Sequence, residues 1–175
     1  SDWGGDRQIV AGGEGPSGLN NIQYYSAANT GNASDFGDLT AASEAGANTS
    51  NAVTVVHLRG ISDVLDKITV ATTGNATSFG TLPTNRRFRI SCTNGTYGVY
   101  MGGNDPNNDM DYITIATPGN GSDFGDLSVI RAHPGGASNS IRGIFSGGYT
   151  PGNRNTMDYI TIPTLGNALD FGDFL

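Results

Sequence analysis

Apolar and polar positions along this chain recur in a block of 17 residues that appears four times. The two most similar copies are 111–127, DYITIATPGNGSDFGDL, and 158–174, DYITIPTLGNALDFGDF. Less similar copies lie at 23–39 and 66–82. Because β-branched, aromatic and turn-forming residues return at the same places in each copy, one structural unit is expected to be built four times.

The length of the repeat limits the architectures that fit it. The Phe of the Phe-Gly pair returns at separations of 43, 45 and 47 residues, and the Gly-Asn pair keeps the same separations. Repeats of 40–50 residues are typical of propellers, solenoids and arrays. The residues expected to be structural anchors of the repeat are Phe36, Phe79, Phe124 and Phe171, with Asp38, Asp126 and Asp173 of the Phe-Gly-Asp segment.

The pattern inside a repeat predicts strands. In the last repeat, residues 156–162 are rich in β-branched and aromatic side chains, and Gly166-Asn167 follows as a turn signal. Shorter runs at 142–148 and 170–175 predict two further strands, and the loop 132–141 leads into a fourth. Each repeat is therefore expected to form four short strands joined by Gly- and Asn-rich turns.

Apolar residues fall on both faces of these strands. In the third repeat, Tyr112 and Thr114 share one face while Ile113 and Ile115 share the other. This arrangement suits a sheet that lies between two neighbouring sheets. The sequence thus predicts an all-β fold, either a β-propeller that is four-bladed or a segment of a larger one, or a β-solenoid.

No change in composition divides the chain, so a single domain covering 1–175 is expected. The first repeat lacks the strand that precedes the others, and the second departs most from the pattern. Residues 61–68 of the second repeat also fit helical spacing, which leaves a short helical turn at 62–65 as an alternative to strand. The four repeats cover about 1–42, 43–87, 88–131 and 132–175.

The order of motifs resembles the kelch repeat of β-propellers. An apolar strand ends in Gly-Gly at 12–13, 102–103 and 147–148, and a later strand carries Tyr24, Tyr112 or Tyr159. Phe stands where the kelch pattern has Trp. The sequence pattern DYITIAT-x-GN-x-x-DFGDL also resembles repeats in proteins of marine and cyanobacterial bacteriophages, and this resemblance implies a virion or extracellular location.

Composition and charge narrow the classes of function. The net charge is −7 and the pI about 4.5, which argues against nucleic acid as a partner because phosphates need a basic face. No apolar run approaches the roughly 20 residues that span a bilayer, so no membrane insertion is expected. A single cysteine, Cys92, allows no internal disulfide and is expected to be a small core residue.

Candidate chemistry is sparse, and no catalytic, metal or cofactor-binding residues are predicted. Asp38, Asp126 and Asp173 are expected to cap turns. The segment 104–109 offers oxygen ligands that suit Ca²⁺ but lacks EF-hand spacing, so a solvated loop is expected. His57 and His133 are the two histidines of the chain and are too few for a typical zinc or copper site.

Four residues are candidates for ligand contact. Arg86 and Arg87 could meet phosphate or an acidic partner, although a solvated or intersubunit loop explains them as well. Trp3 and Tyr149 are the aromatic residues expected to contact a glycan.

These features lead to one expected function and two rivals. The expected function is a non-enzymatic bacteriophage virion protein, a tail-fibre or adhesin module or a capsid decoration. It would bind a host-surface glycan or other virion proteins, as a homo-oligomer or as part of a larger assembly. The alternatives are a purely structural repeat protein of a fibre or surface layer, and an enzyme on a propeller scaffold, for which copper would be the first metal to look for.

Overall fold

The structure is a computed structural model and describes residues 7–60, 62–104 and 107–175. It is all-β, as the repeat pattern predicted, and within these ranges it contains no helix, so none that could cross a membrane. The strands are β1 Arg7–Ala11, β2 Leu19–Ser26, β3 Ser34–Ser43, β4 Ala47–Ser50, β5 Thr54–Leu58, β6 Val64–Thr69, β7 Thr77–Thr81, β8 Ile90–Thr93, β9 Tyr97–Met101, β10 Asn107–Thr114, β11 Ser122–Arg131, β12 Gly135–Ser138, β13 Arg142–Ser146, β14 Thr156–Thr161 and β15 Leu169–Asp173.

Over the described ranges, 15 strands form four antiparallel sheets, one per repeat, and within each sheet every strand pairs with the next along the chain. Sheet 1 is β1-β2-β3, sheet 2 is β4 to β7, sheet 3 is β8 to β11 and sheet 4 is β12 to β15. The prediction of four strands per repeat is confirmed for the last three sheets. Sheet 1 has three strands among the described residues, and the strand it lacks is the counterpart of β4, β8 and β12.

Two local predictions are settled by the strand bounds. The strand alternative for the second repeat is confirmed, because β6 begins at Val64 and no helical turn forms over the described residues 62–65. The expectation of a solvated loop over 104–109 is wrong in its second half, because β10 already begins at Asn107. Asp105 and Pro106 lie outside the described residues.

Asparagine side chains shape the loop between the first two strands of sheets 2, 3 and 4. The amide oxygen of Asn51 accepts hydrogen bonds from the backbone N–H groups of Val53 and Thr54, at 2.9 and 2.8 Å. Such short-range bonds replace ladder bonds where the chain reverses. Asn94 and Asn139 make the corresponding bonds in sheets 3 and 4.

The core consists of three layers of apolar side chains, one between each pair of successive sheets. Phe36 and Ile22 of sheet 1 meet Val55 and Ile68 of sheet 2. The second layer joins sheets 2 and 3, and the third joins sheets 3 and 4. Here, the face of a sheet that meets the next sheet is its forward face, and the opposite one is its back face. Apolar residues on both faces of a strand therefore reflect two neighbours, as the sequence pattern indicated.

Candidate functional site

The Phe-Gly and Gly-Asn pairs of the repeat meet each other across the boundary between sheets. At the first boundary, the Gly74 N–H donates to the Phe36 carbonyl at 2.7 Å, and the Asp38 N–H donates to the Asn75 amide oxygen at 3.0 Å. The backbone of Asp38, rather than its carboxylate, makes this contact. Equivalent side-chain bonds run from Thr81 N–H to Asn120 at 3.1 Å and from Asp126 N–H to Asn167 at 3.0 Å.

Glycine is required at the Phe-Gly position because another backbone lies against it. A Cβ atom placed on Gly37 would lie 2.4 Å from the carbonyl oxygen of Gly74, and one on Gly125 would lie 2.6 Å from the carbonyl carbon of Gly166. Both residues also have positive φ, 147° and 137°, where L-residues are strained. The repeated sequence therefore encodes a backbone-to-backbone contact between sheets.

A buried aspartate in the third strand of sheets 2, 3 and 4 adds a polar layer to each boundary. Asp158 is fully buried and accepts from the Arg131 guanidinium at 2.8 Å and from the Ser128 hydroxyl at 2.5 Å. Burial lowers the pKa of Arg131, and the neighbouring Asp158 carboxylate opposes that shift. Asp66 accepts from Thr40 of sheet 1, but its arginine, Arg59, follows β5 of the same sheet and lies 3.7 Å away. Asp111 accepts from Thr84 and Arg89, which lie between β7 and β8.

The residue paired across the ladder with each of these aspartates is also buried. His57 pairs with Asp66, Tyr100 with Asp111 and Phe145 with Asp158. The His57 ring is hydrogen-bonded to Ser43 and Asn48, and the Tyr100 hydroxyl is hydrogen-bonded to Thr49. Phe145 has no polar group that needs a partner. These three side chains thus close the centre of each back face.

His57 is neutral in this setting. Its Nδ1 lies 2.8 Å from the Asn48 amide oxygen, which can only accept, so Nδ1 carries the proton and donates. Its Nε2 therefore accepts from the Ser43 hydroxyl at 2.8 Å. Burial lowers the pKa of His57 to about 4, although the Asp66 carboxylate raises it and Arg59 lowers it further. Both ring nitrogens are occupied within the protein, which leaves none for a metal.

The loops that enter sheets 2, 3 and 4 carry a repeated backbone feature at one edge of the molecule. Ala45, Phe88 and His133 each lie two residues before the first strand of a sheet and have φ of 50°, 58° and 50°. A positive φ is unusual for residues other than glycine, and for a bulky residue it carries strain that often accompanies a functional position.

The loops that enter sheets 3 and 4, together with the loop between β13 and β14, form an exposed surface, here called the loop rim, made of Arg87, Phe88, His133 and Tyr149. The rings of Phe88 and His133 lie 5.3 Å apart between centroids, and the Phe88 side chain is 44% exposed. Arg87 is half exposed and lies 3.6 Å from the Glu44 carboxylate. Tyr149 is 55% exposed, and its backbone pairs with that of Ala132, next to His133.

Two of the four predicted ligand-contact residues lie on the loop rim. Tyr149 and Arg87 are exposed there, whereas Arg86 is bonded to the Asp109 carboxylate at 2.7 Å and is largely covered. Trp3 lies outside the described residues. Sequence reasoning missed the pairing of Phe88 with His133, because nothing in the linear pattern marks two loops from different repeats as neighbours.

The remaining chemical candidates lie in the core or on the surface as single groups. Cys92 is a core residue, as expected, and burial raises the pKa of its thiol to about 12. Within the described ranges, no three side chains among His, Cys, Asp and Glu lie close enough to hold a metal ion. The expected turn-capping role of Asp38, Asp126 and Asp173 stays a prediction, because the observed contacts of the first two are made by their backbone.

A comparison with models of known protein families matches none of them, and a comparison with curated protein sequences finds no relative.

Proposed function

We propose that this protein is a non-enzymatic recognition module of a bacteriophage virion, from a tail fibre, adhesin or capsid decoration, whose loop rim binds a host-surface glycan. The observation that carries the proposal is the exposed Phe88–His133 pair beside Arg87 and Tyr149. Aromatic faces offer flat apolar contact area, and Arg87 offers several hydrogen-bond donors for hydroxyl or acidic groups of a sugar. The resemblance of the repeat sequence to repeats of bacteriophage proteins suggests that the protein is part of a virion.

We also propose that the sheets are arranged as in a propeller, either as a four-bladed unit or as part of a larger ring. Successive sheets pack face to face, and their first strands β4, β8 and β12 lie next to one another. Loops at the edge of such sheets are held by a rigid scaffold, which favours binding. A β-solenoid built from the same sheets is the alternative.

Binding of the purified protein to an array of bacterial surface glycans tests the recognition role. The double variant Phe88→Ala with Tyr149→Ala is expected to weaken binding at least tenfold, since a few exposed aromatic residues carry most of the energy of such contacts. Val53→Ala is the matched control, because Val53 is 61% exposed in the loop between β4 and β5, away from the loop rim. Equal binding by the double variant and the control would refute the loop rim as the binding surface.

A purely structural role in a fibre or surface layer is the second candidate, and the large exposed apolar side chains of sheets 1 and 4, such as Val10 and Phe171, favour it. In that case, the array shows no glycan binding while the protein still self-associates. An enzyme on a propeller scaffold is the third candidate, and it would be supported by stoichiometric copper in metal analysis of the purified protein.

A further inference from the structure

The forward face of sheet 4 is uncovered, whereas the forward face of each earlier sheet packs against the next sheet. Phe171 is 46% exposed, whereas its counterparts Phe36, Phe79 and Phe124 are at most 4% exposed. Phe174 is 50% exposed at the position where Leu39, Leu82 and Leu127 are buried in the other repeats. A groove of about 360 Å³ lies on this face, lined in part by Ala137, Ile144 and Phe171.

Sheet 1 leaves uncovered the opposite face. Val10 pairs with Gln23 at the place of the buried pairs His57–Asp66 and Phe145–Asp158, yet Val10 is 52% exposed. Tyr25 is 42% exposed at the place of Ile68, Ile113 and Ile160, which are at most 2% exposed. Among the described residues, the back face of sheet 1 and the forward face of sheet 4 are therefore both uncovered.

The polar half of the sheet-to-sheet contact is also present at both ends. Gly31-Asn32 begins the turn of the first repeat, and Ala33 after it is exposed, whereas Ala76 and Ala168 at the same place are buried. At the other end, no atom of the described residues lies within 4 Å of a Cβ placed on Gly172, although its φ of 132° matches that of the inner glycines. Each end thus carries one partner of a contact that the chain makes three times internally.

We propose that a second copy of this chain docks head to tail, with the back face of its sheet 1 covering the forward face of sheet 4. Val10 and Tyr25 of one copy would lie over Ile144 and Phe171 of the other. By analogy with the inner boundaries, the Asp173 N–H donates to the Asn32 amide oxygen. This inference goes beyond the proposed function and does not depend on glycan recognition.

The contact between copies lacks one layer of the inner boundaries, so it is weaker and reversible. Gln23 stands where Asp66, Asp111 and Asp158 stand, and Leu175 stands where Thr40 and Ser128 donate to those carboxylates. The apolar layer and the backbone bonds remain. Because the two contacting faces differ, repetition of the contact closes a ring or extends a chain of copies.

Sedimentation velocity over a range of concentrations tests the contact. The parent protein is expected to show mass above 18.1 kDa that rises with concentration. Phe171→Asp, and as a second forward-face variant Phe174→Asp, should weaken association at least tenfold, as should Tyr25→Asp on the back face. All three side chains are more than 40% exposed, so the sheets are expected to fold, and the far-ultraviolet circular dichroism spectrum checks this. Val53→Asp is the control and should associate like the parent.

Mixing the variants tests the polarity of the contact. Phe171→Asp keeps an intact back face and Tyr25→Asp keeps an intact forward face, so an equimolar mixture should form a one-to-one dimer that neither variant forms alone. A parent that stays monomeric at every concentration would overturn the proposal, as would an inert mixture of two folded variants. Association by Tyr25→Asp alone would also overturn it, because it would indicate contact between like faces.

Discussion

Phe124 and Phe171 occupy the same place in two copies of one motif, but their surroundings are opposite. Each ring packs edge to face on a tyrosine of the neighbouring strand, at 6.0 Å for Tyr112 and 6.1 Å for Tyr159. Phe124 is nevertheless 2% exposed and Phe171 is 46% exposed, because sheet 4 covers the first ring and none of the described sheets covers the second. The conformation of a repeat thus comes from its own residues, whereas its burial comes from the next repeat.

The same division holds for the polar layer. Asp158 is buried with Arg131 at an inner boundary, while Gln23 stands in the equivalent position on the open face of sheet 1 and is exposed. A carboxylate is kept where a preceding sheet supplies donors from Ser128 and Arg131. Substitutions at an inner boundary are therefore expected to cost more stability than the same substitutions at the equivalent positions of an open end.

The largest difference is expected between Asp158→Ala and Gln23→Ala. Loss of Asp158 leaves the buried Arg131 charge without its partner, which is expected to lower the free energy of unfolding by about 3–5 kcal/mol. Gln23→Ala changes an exposed residue and should stay within about 0.5 kcal/mol of the parent. Urea denaturation at low protein concentration, where copies are dissociated, measures both.

A double variant separates the ion pair from the packing around it. Arg131→Met with Asp158→Leu removes both charges together, so it should cost less than Asp158→Ala alone. If Asp158→Ala were no more costly than Gln23→Ala, the buried aspartate layer would not hold the sheets together.

Phe124→Ala and Phe171→Ala test the apolar layer. Truncation of Phe124 leaves a cavity between sheets 3 and 4 and is expected to cost about 3–5 kcal/mol of unfolding free energy. Phe171 is half exposed, so its truncation should cost about 1 kcal/mol or less in the dissociated protein. Denaturation midpoints that shift equally would show that sheet 4 does not cover Phe124 in solution.

The pH dependence of stability reports on the first inner boundary. Burial holds the pKa of His57 near 4, below its ordinary 6.5, so the unfolded chain binds a proton there that the folded protein rejects. The contribution of neutral His57 to the free energy of unfolding is fully present above pH 6.5 and is lost as the pH falls toward 4. The loss amounts to about 3 kcal/mol at most. Stability measured by urea at several pH values should show this slope.

His57→Phe supplies the control, because the position of sheet 4 that is equivalent to His57 is occupied by a phenylalanine, Phe145. This variant should be less stable than the parent at neutral pH, since Ser43 and Asn48 lose their partner. Its stability should fall less steeply between pH 6.5 and 4, because the remaining slope comes from other groups. An unchanged slope would mean that His57 is not buried as a neutral ring.

The strands and the repeat length could be predicted because both depend on local residues. Turn residues such as Gly166 and strand residues such as Ile113 act through their own backbone preferences. The buried aspartate layer could not be predicted, because its arginines return at unequal places: Arg89 lies ten residues after Phe79, and Arg131 lies seven after Phe124. The exposure of Phe171 could not be predicted either, since it lies in the same Asp-Phe-Gly-Asp segment as Phe124.

The smallest difference is expected between Gly125→Ala and Gly172→Ala, and it isolates the effect of the neighbouring sheet. Both glycines have positive φ, 137° and 132°, so an alanine is strained at either position. At Gly125 the new methyl group would also meet the backbone of Gly166 at 2.6 Å, whereas at Gly172 nothing lies within 4 Å. Gly125→Ala should therefore lower the free energy of unfolding by about 1–3 kcal/mol more than Gly172→Ala.

The same two variants are expected to rank in the opposite order when self-association is measured. In a head-to-tail contact, Gly172 meets the turn at Gly31 of the second copy, so Gly172→Ala should dissociate copies while it leaves each folded. Gly125 faces an inner boundary, so a folded Gly125→Ala protein should still associate through its ends. If Gly172→Ala associates like the parent, the end of sheet 4 does not repeat the inner contact, and the match between Gly172 and Gly125 reflects only the shape of the strand.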